Sequence, residues 1–155
     1  GFESWYNGAG MKTVLPAEAT AKMDFRLVPD MRPEDIFEKL RTHLDRQGFE
    51  DVELEDLAGV NPARTPIESP WVALVAETAE EIYDRKPVIA PTMAGTGPMY
   101  EFSEILGMPI ATSGVDPPSH KIHAPNENIT EEDFLLGAKH AALIMQRFGE
   151  RGLGG

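Results

Sequence analysis

No cysteine occurs in the 155 residues. That absence excludes disulfides and thiolate metal sites, so any metal must be held by His, Asp or Glu, and nothing points to an oxidising compartment. Long apolar runs are missing too: none approaches the roughly 20 residues that a membrane-spanning helix needs. Gly1–Gly10 lacks both the basic start and the apolar stretch of a secretory signal. Basic residues are scarce, with 14 Lys and Arg against 26 Asp and Glu and a formal net charge of −12. A surface that acidic repels phosphate backbones, which argues against nucleic acid as a partner. The hydrophobic fraction of 41% suits a soluble globular protein with a core. No membrane partner and a cytoplasmic location are the expectation. The chain opens on Gly1 rather than Met, as an excised or processed polypeptide would.

Pro and Gly cluster at Gly59–Pro66, Pro87–Pro98 and Gly107–Pro118, which marks these stretches as loops or linkers. Ahead of the first cluster the pattern reads strand, strand, helix, strand. Met11–Leu15 is a short apolar run stopped by Pro16. Ala19–Val28 alternates with period two: Ala21, Met23, Phe25 and Leu27 face one way, Lys22, Asp24 and Arg26 the other. Pro33 stands at a first helical position, Ile36, Leu40 and Leu44 recur at spacing four, and Gly48 closes the helix. Asp51–Leu57 is a weaker strand. Together these elements predict about half of a ferredoxin-like unit over an antiparallel sheet.

The character changes after Asn61-Pro62. Ser69-Pro70 starts a helix to about Asp84, and Met99–Leu106 reads as a short helix. Val88–Ala90 and Ile110–Thr112 read as short buried strands. Thr130 with Asp133 makes a capping box for a last helix, whose expected buried stripe is Phe134, Ala138, Ala141 and Met145. Helices alternating with short apolar strands predict a doubly wound α/β layer. With only two or three strands the sheet is incomplete, so its other strands are expected from elsewhere. The boundary falls between 1–60 and 61–155.

Three groups of residues carry candidate chemistry. His123 lies in a polar loop, Ser119–Asn128, that leads into a capped helix, where α/β sheets bind ligands. It is a candidate metal ligand. His120 nearby could share its ion, though two ligands make a weak site, and Glu127 either supports the ligand or only orders the loop. His43 and His140 sit on helices and read as surface or boundary histidines. In Met93–Met99, Gly95 and Gly97 flank Thr96, either as a cradle whose amides approach an oxyanion or carboxylate, or as a plain tight turn. Arg26, on the polar strand face, either forks onto a substrate carboxylate or is a solvated charge paired with acidic neighbours.

These residues bear a resemblance. Lys12-Thr13-Val14-Leu15-Pro16-Ala17-Glu18-Ala19, then Asp24-Phe25-Arg26-Leu27-Val28-Pro29, resembles the second half of the lid, or dimerisation, domain of the zinc-dependent dipeptidase and N-acyl-amino-acid deacylase family. That family includes carnosinase-type dipeptidases, acetylornithine deacetylase, succinyl-diaminopimelate desuccinylase, aminoacylase and glutamate carboxypeptidase. Gly95-Thr96-Gly97-Pro98 and His123-Ala124-Pro125-Asn126-Glu127 resemble its two carboxy-terminal active-site loops. The four blocks stand in the family's order and span nearly the whole chain.

The resemblance implies a carboxy-terminal part of an enzyme with two zinc ions per active site, cobalt or manganese being alternatives. A bridging water would be activated between the ions, its pKa lowered to about 7. His123 would be the last metal ligand, and Arg26 would grip the free carboxylate of a small peptide or N-acyl-amino-acid substrate. Thr13 would offer a hydroxyl to the substrate, and Gly95 and Thr96 would bind its backbone or carboxylate. The family's upstream His-x-Asp motif, Glu-Glu pair and general-base glutamate have no counterpart here, so no catalytic residue is assigned and the chain alone is expected to be inactive. A homodimer is implied. The leading expectation is a metallodipeptidase. An N-acyl-amino-acid deacylase, a non-catalytic dimerisation module and a small-molecule binding protein of related fold are the alternatives.

Overall fold

The computed structural model describes residues 1–6, 8–93 and 95–152. Among them the chain is mixed α/β with few strands: β1 (Phe2–Glu3) and β2 (Thr20–Ala21), α1 (Pro33–Arg46), α2 (Pro70–Tyr83), a π-helical turn (Glu101–Ile105) and α3 (Glu131–Arg151). β1 and β2 pair antiparallel, Phe2 opposite Ala21 and Glu3 opposite Thr20.

Each helix begins and ends where local chemistry dictates. Pro33 starts α1, with Glu34 and Asp35 in a first turn where the helix dipole favours acids. Gly48, at φ 81°, ends it in a Schellman motif: Gly48 N–H donates to Asp45 O and Phe49 N–H to Leu44 O, both at 3.0 Å. Arg41 fastens the following chain, donating to Asp45 Oδ1 at 2.8 Å, Phe49 O at 2.8 Å and Val52 O at 2.5 Å. Ile36, Leu40 and Leu44 are half-buried, as their spacing predicts. Ser69 caps α2, accepting from Trp71 N–H at 3.3 Å, and Pro70 follows it. Thr130 caps α3, its Oγ1 accepting from Asp133 N–H at 3.0 Å.

The buried core lies where α2 meets α3. Leu74, Val75 and Ala79 are its buried apolar side chains, and Thr78 and His140 are its most buried polar ones. Trp71 meets Phe148 edge-on at 5.8 Å and Tyr83 meets His140 edge-on at 5.7 Å, so the helices run antiparallel. Along the rim, Arg147 pairs with Glu81 at 3.1 Å and Arg151 with Glu77 at 2.9 Å.

Three expectations are corrected. Of the predicted strands only Thr20–Ala21 within Ala19–Val28 is hydrogen-bonded as β; Met11–Leu15, Asp51–Leu57, Val88–Ala90 and Ile110–Thr112 have no ladder among the described residues. A strand needs a neighbour to accept its hydrogen bonds, and among the described residues these runs have none. The stripe Phe134, Ala138, Ala141 and Met145 of α3 faces outward. The face packed on α2 carries Gly137 and His140. His140, expected at a surface or boundary, is 2% exposed. The expected short helix Met99–Leu106 is present, with π-helical turns over Glu101–Ile105.

The ion pairs predict a pH response. Hydrogen bonding and charge attraction from Arg151 hold the Glu77 carboxyl below its ordinary range, and hydrogen bonding from Gln146, with attraction from Arg147, does the same for Glu150. In the unfolded chain both return to about 4.3. The folded state therefore binds fewer protons, so this contribution is present above the ordinary carboxylate pKa and is lost as pH falls through it toward the lowered folded value. Thermal unfolding followed by circular dichroism is expected to give a Tm that drops below about pH 4.5, and Glu77→Gln to flatten that drop.

Candidate active site

The site residues come from segments far apart in sequence. Arg26 stands in the extended run after β2 and Thr96 in the glycine-rich loop after α2. Arg26 Nη1 donates to Thr96 Oγ1 at 2.5 Å across 70 positions. Arg26 Nε also lies 3.4 Å from Asp24 Oδ2. The guanidinium thus pairs with a neighbouring acid, as one reading of this arginine expects, and also reaches the loop hydroxyl. More than half of the Arg26 side chain remains exposed.

Beside Thr96, Gly95 approaches Met93 closely: a Cβ added there would stand 2.8 Å from Met93 Cε. Ala94 of the same expected cradle lies outside the described residues. Thr13 is exposed and makes no hydrogen bond among the described residues.

His123 sits in a loop closed by its own hydrogen bonds. Asn128 N–H donates to His120 O at 3.0 Å, Ala124 N–H to Lys121 O at 3.0 Å, and Glu127 N–H to Ala124 O at 3.2 Å. Glu127 orders this loop directly, its Oε2 accepting from the His123 backbone N–H at 3.3 Å. The His123 ring is exposed and without a hydrogen bond or ion pair among the described residues, so its nitrogens are open to a ligand. Lys121, His123 and Asn126 all adopt left-handed backbone, at φ 55°, 58° and 64°. His120 is directed elsewhere, its Nδ1 lying 3.6 Å from Asp116 Oδ2. His43 is exposed on the last turn of α1.

The donor set does not by itself fit a metal. No three His, Asp or Glu side chains among the described residues come together as a binding group. His123 offers one donor where a catalytic zinc takes about three from protein. No step can be derived through a metal held by this chain's residues alone.

Sequence reasoning missed the most buried polar cluster. His140 Nε2 lies 3.1 Å from Thr78 Oγ1 and 3.2 Å from Val75 O, and its Nδ1 lies 3.1 Å from Ser113 Oγ. The signal was present: Thr78 falls in the register of Leu74, Val75 and Ala79, and a polar residue at a core position is the informative exception.

With this geometry in place, comparison with known proteins identifies the chain's family. The model of Peptidase family M20/M25/M40 matches residues 6–147, and the chain belongs to that family. It is similar to the Beta-Ala-His dipeptidase of Mus musculus, 22% identical over 148 residues, which cover 90% of this chain and 29% of that protein. Its structure is similar to that of an M20 family metallo-carboxypeptidase from Sulfolobus solfataricus, with a TM-score of 0.78 and 39% identity, covering 94% of this chain and 34% of that one. The chain therefore spans about a third of the length of these relatives. Among the described residues no helix is long and apolar enough to cross a membrane.

The Arg26–Thr96 contact is open to a direct test. Thr96→Val removes the acceptor and keeps the side-chain volume. The expected result is loss of the Arg26 guanidinium N–H shift specific to this bond in NMR spectra. Global stability should fall by less than about 1 kcal/mol, since both groups are exposed.

Proposed function

We propose that this chain supplies the carboxylate-gripping residues and one metal ligand of an enzyme that hydrolyses the amide bond of dipeptides or similar substrates with a free carboxylate. The observation that carries the reading is the Arg26–Thr96 hydrogen bond, which brings two candidate substrate-binding residues together from opposite halves of the chain. A planar guanidinium binds a carboxylate with two parallel hydrogen bonds, and a hydroxyl beside it can donate a third. Such a grip orients the scissile amide. The names of the two relatives, a dipeptidase and a metallo-carboxypeptidase, concern peptides, which favours peptidase over deacylase chemistry.

In this reading residues 1–60 are the second half of a ferredoxin-like lid that forms a homodimer. Residues 61–155 are the carboxy-terminal part of a doubly wound catalytic layer. The ladderless runs 11–15, 51–57, 88–90 and 110–112 pair with strands of the rest of the enzyme. Exposed Met11, Leu15 and Val88 fit such a covering. The resident metal is zinc, with His123 as one ligand. When bound it would supply an activated water, and Thr13, Gly95, Thr96 and Arg26 would hold the substrate against it. The complete enzyme is cytoplasmic.

The test has two parts. The 155-residue chain, assayed alone for bound zinc by atomic emission and for dipeptide hydrolysis, is expected to hold little metal and show no turnover; steady turnover would refute the assignment of its role. In a full-length M20 enzyme carrying these residues, Arg26→Ala should lower kcat/KM by about 10- to 100-fold, the size of a lost charged hydrogen bond. His123→Ala should remove one metal and abolish turnover. Full metal content after His123→Ala would sink the ligand role.

A further inference from the structure

The mechanism proposed above leaves the most buried titratable side chain of the molecule, His140, without a part. It lies on α3, 2% exposed, and reaches in two directions. Val75 O can only accept, so the partners assign the ring proton to Nε2, which faces Val75 O and Thr78 Oγ1; Thr78 Oγ1 in turn donates to Leu74 O at 2.9 Å. Nδ1 is then an acceptor, and Ser113 Oγ–H donates to it at 3.1 Å. The ring's outer partners are a carbonyl and hydroxyls, not a carboxylate, so the Ser113–His140 pair is a tether rather than an activated nucleophile.

What it tethers is the incoming leg of the His123 loop. Ser113 directly follows Ile110–Thr112, which has no β-ladder among the described residues to hold it. One turn before His140, Gly137 takes the next contact: a Cβ added there would stand 2.3 Å from Val115 Cγ1, so only glycine lets this leg lie so close to α3. Asp116 Oδ2 then lies 3.6 Å from His120 Nδ1, beyond hydrogen-bond reach, and the His120 carbonyl closes the loop by accepting from Asn128 N–H. The outgoing leg ends at Thr130, the cap of α3 itself. Both legs of the loop are thus anchored on one helix, the outgoing leg by the chain and the incoming leg by Ser113 on His140 and Val115 on Gly137.

We propose that His140 is a positioning residue that sets where the His123 loop stands, acting through Ser113 in place of a strand ladder. The proposal deepens the hydrolase reading and rests on it for the role of His123, but its test needs neither metal nor substrate, so a failure of the hydrolase reading leaves the measurement standing. Amide hydrogen exchange of the intact chain is compared for the loop-closing Asn128 N–H and for the interior amides of α3. Ser113→Ala is expected to accelerate exchange at Asn128 about fivefold, the worth of one net hydrogen bond, with α3 unchanged. Ser113→Thr, which keeps the hydroxyl, should restore protection. His140→Asn, whose carbonyl can stand where Nδ1 stood, should retain protection at Asn128; His140→Gln, whose amide nitrogen replaces Nε2 instead, should lose it. Unchanged exchange at Asn128 in Ser113→Ala overturns the proposal. Equal acceleration of Asn128 and α3, which would mark a general loss of stability, overturns it as well.

Discussion

The contact of α2 with α3 is the constraint on which the rest of the molecule depends. The buried apolar side chains Leu74, Val75 and Ala79 lie in this antiparallel pair, and it gathers the buried polar ones as well. Burying a hydroxyl and an imidazole in an apolar contact is unfavourable by about 1–3 kcal/mol for each group left without a partner. Here each has one: Thr78 returns its proton to the backbone of its own helix, and both ring nitrogens of His140 are met. The cluster is therefore specific rather than merely tolerated. A single helix register, with Gly137 and His140 inward, satisfies all of its bonds at once. The ion pairs along the rim, exposed and screened, add little beyond agreement with that register.

What could be read from the sequence was what short-range chemistry decides. Ser69-Pro70, Thr130 with Asp133, and Gly48 after Leu44 each state a helix end within four residues, and each end stands where it was expected. Strands were not legible in the same way. Ala19–Val28 alternates cleanly, yet only two of its residues are paired, because a ladder is a property of two segments and the alternation of one describes only its faces. The last helix shows a different failure. Two stripes on α3 compete at helical spacing, and the more apolar one, through Phe134 and Met145, faces outward. Apolarity ranked them wrongly because the inward stripe gains from close approach at Gly137 and from hydrogen bonds at His140, neither of which a hydrophobic count records.

The candidate site divides along the same line. Residue types and their order marked Arg26, Thr96 and His123, since few side chains can fork a carboxylate or ligate a metal in a chain without cysteine. Their relation could not be read, because Arg26 and Thr96 are 70 positions apart and meet only once the fold brings the run after β2 beside the glycine-rich loop. In the proposed reading, the exposed Arg26–Thr96 bond would be exchanged for a substrate carboxylate at little cost, which is the property a binding pair needs.

The His123 loop needs a stiffer arrangement, and its backbone explains why. Lys121, His123 and Asn126 occupy the left-handed region, which is unfavourable by about 1–2 kcal/mol for a residue with a side chain, Asn least so. Three such residues within six positions persist only where other bonds over-determine them. Those bonds are present: Glu127 on the His123 amide, Asn128 Nδ2 on Asn126 O at 2.9 Å, and the Asn128–His120 closure. All of them lie inside the loop, so they fix its shape and leave its placement open. Placement has to come from the legs, and with no sheet beneath the incoming one among the described residues it falls to a hydroxyl on a buried imidazole and a valine over a glycine. The helix pair that forms the core is by this route also the ruler for the loop that carries the one candidate metal ligand.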